Sequence, residues 1–287
     1  EQKKAVLHKD GPMMIIAGAG SGKTRVITYR VSHLIQSGVD PFNILALTFT
    51  NKAASEMRSR IEAMVGTEAR NLWMGTFHSV FARILRVEAP RIGFPRDFSI
   101  FDTDDSKNLI KSIVKEQGLD NKLYKPSMVY SRISLVKNSF ISPAEYRSDD
   151  DLQSEDISSG RPKLGLLYAT YQERLFRSGA MDFDDLLINT YNLLDRFPDV
   201  LNKYQHRFQY LMVDEYQDTN YVQYLIVKKL AAAHQNLAVV GDDAQSIYAF
   251  RGANINNILN FEKDYPDLKV YKLEQNYRST KIIVDAA

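Results

Sequence analysis

The chain has 287 residues, 44% of them hydrophobic and 25% charged, with a formal net charge of +2. That length suffices for a large core and about two domains; no apolar run approaches the ~18 residues of a membrane span, and no segment reads as a signal peptide. Zero cysteines exclude disulfides, thiolate-bound zinc and cysteine-ligated iron–sulfur clusters and fit a reducing cytosol, while so small a net charge gives nucleic-acid binding no support by itself.

In chain order, the pattern predicts a first strand at Met13–Ala17 and a helix at Lys23–Gln36. Between them runs Ala17-Gly18-Ala19-Gly20-Ser21-Gly22-Lys23-Thr24. Strand before and helix after is the setting in which such a loop cradles phosphates. Gly18, Gly20 and Gly22 let the backbone take positive φ and approach a ligand closely. Successive N–H groups then point at phosphate oxygens, helped by the positive end of the following helix. Lys23 would reach the β- and γ-phosphates and the Thr24 hydroxyl would sit on Mg²⁺. The first position of the motif is Ala rather than Gly, a small departure. This loop predicts binding of a nucleoside triphosphate. Strands at 44–50 and near 72–77 follow, with helices at 52–65 and 78–88, the alternation of a parallel sheet covered by helices.

Residues 90–206 differ. Their one strand run is 98–101, and helix-period segments fall at 106–117, 127–138 and 164–178. The acidic, serine-rich run 149–159 reads as a solvated loop. The cluster Asp182-Phe183-Asp184-Asp185 reads as acidic residues in the first turn of a helix rather than as a metal site. Strands return at 210–214, 237–241 and 268–273, with helices near 221–233 and 255–264. The expected fold class is α/β, a P-loop NTPase domain with a parallel sheet interrupted by a mostly helical insertion. The expected segments are 1–89, 90–206 and 207–287.

Leu211-Met212-Val213-Asp214-Glu215 is an apolar strand ending in two carboxylates, which at the carboxyl end of a parallel strand face the ligand crevice. Asp214 would hold Mg²⁺ and Glu215 would take the proton of the attacking water. The two jobs need separate groups, because a carboxylate committed to a metal is a poor base. A third strand end carries Gly241-Asp242-Asp243-Ala244-Gln245-Ser246. Gln245 there can touch both the γ-phosphate and the lytic water, although a polar turn after a buried strand has the same composition.

Taken together, these blocks resemble the UvrD/Rep/PcrA family of superfamily 1 DNA helicases. Residues 17–25 are similar to that family's motif I. Leu47-Thr48-Phe49-Thr50-Asn51-Lys52-Ala53-Ala54 resembles motif Ia, and Gly75-Thr76-Phe77-His78 motif Ib. Val213-Asp214-Glu215-Tyr216-Gln217-Asp218 resembles motif II, residues 241–253 motif III, and Leu273-Glu274-Gln275-Asn276-Tyr277-Arg278-Ser279-Thr280 motif IV. The resemblance implies a RecA-like motor domain with Gln2 reading the adenine edge, Tyr277 stacked on the base and Arg278 on the γ-phosphate. Arg25 would add charge near the nucleotide. For DNA it implies Thr50, Asn51, Lys52, Thr76, Phe77 and His78, with Tyr248 and Phe250 as stacking faces. Phe250 stands where most relatives carry Trp.

The implied cofactors are ATP and Mg²⁺. The implied partners are single-stranded DNA, single-/double-strand junctions and DNA-repair proteins, with no membrane, in the bacterial cytosol or nucleoid. The implied activity is 3′-to-5′ translocation on single-stranded DNA and ATP-dependent unwinding. No block resembles the family's motifs V and VI, so the expectation is a first motor domain with its insertion, unable to unwind duplex alone. A different class remains open: a non-catalytic DNA- or partner-binding module that uses ATP as a conformational ligand. A transporter-type signature and a nuclease domain are both absent from the sequence.

Overall fold

The computed structural model describes residues 1–18, 20–242 and 256–277. It divides into two compact units, one of residues 1–80 with 194–287, the other of residues 81–193. These divides precede the expected boundaries at 89/90 and 206/207 because they fall inside two continuous helices, Phe77–Glu88 (α4) and Phe183–Arg196 (α10). Pro90 lies in the turn that follows α4.

The first unit is built on a parallel six-stranded sheet, the architecture expected. Its strands are β1 (Met13–Ala17), β2 (Ile44–Thr48), β3 (Trp73–Thr76), β6 (Tyr210–Val213), β7 (Leu237–Gly241) and β8 (Lys269–Leu273). They lie in the order β3-β2-β6-β7-β1-β8. Met13 aligns with Ala238 and Lys269, and Ile44 with Tyr210. Alternate strand residues Met13, Ile15, Ile44, Ala46, Met212 and Val240 form one core cluster. They are joined there by Val26, Val31 and Leu34 of α2 (Lys23–Gln36) and Met57 and Ile61 of α3 (Asn51–Val65). The intervening Met14, Leu45, Leu47, Leu211, Val213 and Val239 are buried as well. A sheet apolar on both faces reads as continuous hydrophobic runs, which is how these strands look in the sequence.

The second unit is helical around a core from α5 (Thr103–Glu116), α6 (Pro126–Asn138) and α9 (Leu164–Arg177), with Ile113, Ile133, Leu167 and Tyr171 at its centre. A two-stranded parallel sheet pairs β4 (Ser99–Phe101) with β5 (Ala180–Asp182). The expected loop at 149–159 is instead helix α8 (Asp150–Ser158), a correction with a local cause. Asp149 accepts a hydrogen bond from the Leu152 amide at 2.9 Å, and Asp150 and Asp151 fill the first turn. The acidic run is therefore a helix start, where carboxylates favour the helix dipole. Among the described residues no helix is long and apolar enough to cross a membrane.

Candidate functional site

Two of the loop's three glycines take the expected positive φ, Gly20 at +76° and Gly22 at +93°. A Cβ on Gly22 would lie 3.0 Å from Gln2 Nε2. Ser21 donates through Oγ to the Gly18 carbonyl at 2.7 Å, tightening the loop. Gln2, on α1 (Gln2–Leu7), donates from Nε2 to the Ser21 carbonyl at 2.7 Å. Buried Arg30 on α2 fastens that helix by donating to the carbonyls of Ala5, His8 and Lys9, and burial lowers its guanidinium to about 10. Tyr277 meets the loop from the other side: its amide donates to the Gly20 carbonyl at 2.9 Å, and its ring is exposed. Gly18 and exposed Arg25 flank the loop, with the Arg25 guanidinium 5.4 Å from the Tyr29 ring centre. Ala17 is buried and Thr24 half-buried at the head of α2.

Lys23 points across the carboxyl edge of the sheet. Its Nζ lies 3.1 Å from Glu215 Oε2, at the end of β6. Glu215 has φ +49° and ψ +47°, a left-handed conformation that a non-glycine residue adopts at a cost of ~1–3 kcal/mol and that clusters at functional sites. Asp214 is 3% exposed, and its Oδ1 accepts the Glu215 amide at 3.0 Å. Burial first, and then the Glu215 charge, push the Asp214 carboxyl up to about 7. The same two causes push Asp218 up to about 6, and Asp218 Oδ1 is buried without a partner among the described residues. Asp242, at the end of β7, completes the acidic rim beside Gly18.

The expected nucleic-acid residues lie along the same edge. β2 and β3 are neighbours with Thr48 opposite Thr76, and each runs directly into a helix start. Thr50 caps α3, its Oγ1 accepting from the Ala53 amide at 3.1 Å, and Thr50, Asn51 and Lys52 are exposed. Thr76 accepts from the Ser79 amide at 3.2 Å, and burial lowers the His78 imidazole. Phe77 is 1% exposed and packs against Phe49 with ring centres 5.4 Å apart. Ala19, Gln245, Tyr248, Phe250 and Arg278 lie outside the described residues.

The sequence matches the family model for the UvrD/REP helicase N-terminal domain over residues 1–266. The chain belongs to this family. Among similar proteins are those named ATP-dependent DNA helicase PcrA from Staphylococcus aureus strain Mu50 and from Staphylococcus epidermidis. Each is 51% identical over 288 residues, covering 100% of this chain and 39% of the relative. The chain thus spans about two fifths of the length of those relatives.

The geometry limits what the crevice can hold. At Gly22 a side chain would crowd Gln2, Lys23 lies at the crevice mouth, and the buried carboxyls of Asp214 and Asp218 exceed what one lysine neutralises. That donor set fits a divalent cation and a polyphosphate. Two participants carried no role in the sequence reading. Gln217 is 1% exposed and touches both Glu215 and the Asp242 backbone, and Asp218 lies beside the Lys23–Glu215 pair. Their spacing after Asp214 was the only signal; their burial needs the fold.

Proposed function

We propose that this chain carries the nucleotide-binding and part of the DNA-contacting surface of an ATP-driven DNA helicase that moves 3′-to-5′ on single strands. The observation that carries the reading is the 3.1 Å pairing of Lys23 with Glu215, which draws the phosphate loop and the candidate base to one crevice. ATP would lie against the loop at 18–24, with Gln2 and Tyr277 at its base and Arg278 at its γ-phosphate. Lys23 then exchanges Glu215 for the phosphates, and Glu215 becomes available to take a proton from water. Mg²⁺, held by Thr24 and Asp214, would offset phosphate charge. Gln245 would sense the γ-phosphate, and Arg25 would add a nearby charge.

Single-stranded DNA would cross the edge at Thr50, Asn51, Lys52, Thr76 and His78, where two helix N-termini suit phosphates. Tyr248 and Phe250 would supply stacking faces. In domain terms, residues 1–89 and 207–287 would form the RecA-like motor domain and 90–206 its insertion, working in the bacterial cytosol or nucleoid on single-strand junctions alongside repair proteins. Glu215→Gln tests the chemistry: turnover should fall by ~10²–10⁴ while ATP binding is kept. A non-catalytic module would instead show no turnover before the substitution and an ATP-dependent change in DNA affinity unaltered after it. A duplex with a 3′ tail against one with a 5′ tail tests polarity.

A further inference from the structure

Gln217 lies in the short 3₁₀ turn Tyr216–Asp218 that follows the two carboxylates. It is 1% exposed, so its amide must find partners or be costly. It finds two that matter. Nε2 donates to Glu215 Oε2 at 2.8 Å, and Oε1 accepts from the Asp242 backbone amide at 3.2 Å. One side chain therefore joins the candidate base to the first residue beyond β7. Lys23 shares the same Glu215 oxygen at 3.1 Å.

We propose that Gln217 is a positioning residue for ATP hydrolysis, holding the Glu215 carboxylate by Oε2 and tying it to the chain that leaves β7. The inference rests on the function proposed above and deepens it. When Lys23 moves to the phosphates, Glu215 loses one of its Oε2 contacts. The Gln217 amide keeps the carboxylate from swinging free and leaves Oε1 to receive the proton from water. Positioning of this kind matters because small displacements of a reacting group cost orders of magnitude in rate.

The residue type is specific to the task. A glutamate has no donor for Glu215 and would repel it. A lysine could not accept the Asp242 amide, and an asparagine is one methylene too short to span both partners.

The test compares Gln217→Met, which keeps volume without hydrogen bonds, with Gln217→Ala, Gln217→Glu and Glu215→Gln, all in the protein carrying this chain. Steady-state ATP turnover is measured with and without oligo(dT). ATP affinity is read by a fluorescent analogue, oligo(dT) affinity by anisotropy, and folding by thermal melt. For Gln217→Met and Gln217→Ala, kcat should fall at least tenfold. Both affinities should stay within twofold. For Gln217→Glu, turnover relative to the parent should rise from pH 8 to pH 6, as the new carboxyl takes up a proton and can donate again.

If Glu215→Gln loses turnover while Gln217→Met keeps kcat within twofold, the positioning role is overturned. If Glu215→Gln itself turns over normally, the reading of Glu215 as base fails, and this inference fails with it. Equal losses of affinity and kcat would mark Gln217 as a packing residue and likewise overturn the proposal.

Discussion

Lys137 in the second unit offers a perturbation whose size follows from its surroundings. Its Nζ lies 2.7 Å from Asp182 Oδ2 and 2.8 Å from Asp185 Oδ1, and lysine and both aspartates are almost fully buried. Tyr171 donates to Asp182 at 2.9 Å and Gln172 to Asp185 at 3.0 Å, so α6, α9, β5 and α10 meet in one network. Burial opposes charging the ammonium, but Asp182 and Asp185 outweigh it and hold Lys137 well above the usual lysine range. Burial alone would raise Asp182, and Lys137 pulls it below the usual carboxylate range.

Lys137→Met keeps the apolar stem and strands those charges. Breaking a buried pair by removing one partner costs ~3–5 kcal/mol, a large share of the ~5–15 kcal/mol that holds a domain together. The loss should be greatest near pH 8 and shrink toward pH 5, where the stranded carboxyls take up protons. The parent already leans that way. Burial first, then Asp182, raise Asp184 and Asp185 to about 6. A carboxyl raised in the fold costs stability once ionised, so these two groups add stability as pH falls from 7 toward 4. Urea unfolding followed by far-UV circular dichroism at pH 8 and pH 5.5 makes the measurement. A loss below ~1 kcal/mol at pH 8 would refute the argument that these charges depend on Lys137.

Other outcomes follow from the first unit. Gly22→Ala places a side chain at φ +93° and within 3.0 Å of Gln2 Nε2, so stability should fall by ~1–2 kcal/mol and ATP-analogue affinity with it, both checked by urea unfolding and fluorescence titration. Asp214→Asn removes a carboxyl that burial and then Glu215 raise to about 7. Without nucleotide, the parent should lose about 1 kcal/mol per pH unit between pH 5 and 7 from this group; the variant should show a flatter urea-midpoint profile. Phe77→Leu should leave oligonucleotide affinity by anisotropy within twofold of the parent, because the ring packs on Phe49.

The glycine-rich loop was legible because its signals are local. β1 and α2 take the ranges read from the sequence, Met13–Ala17 and Lys23–Gln36, and Gly22 adopts the backbone that only glycine adopts freely. Asp214 and Glu215 were legible for the same reason, as carboxylates closing an apolar strand. Two features depend on contacts distant in sequence and stayed hidden. Lys137 looks like a surface lysine of an amphipathic helix until β5 and α10 bring Asp182 and Asp185 to it. Phe77, beside two polar residues, carries no sign that Phe49 will cover it. The run at 149–159 reads as a loop by its acidic composition, whereas local capping by Asp149 makes it a helix start.

The central claim is that an ATPase crevice and a DNA-contacting edge share one sheet. The direct measurement is ATP turnover by the protein carrying this chain, with and without a single-stranded oligonucleotide, against Lys23→Ala as background. Turnover that rises with the oligonucleotide and vanishes in Lys23→Ala is the predicted result. Turnover that ignores the oligonucleotide, or that survives the loss of Lys23, would contradict the account.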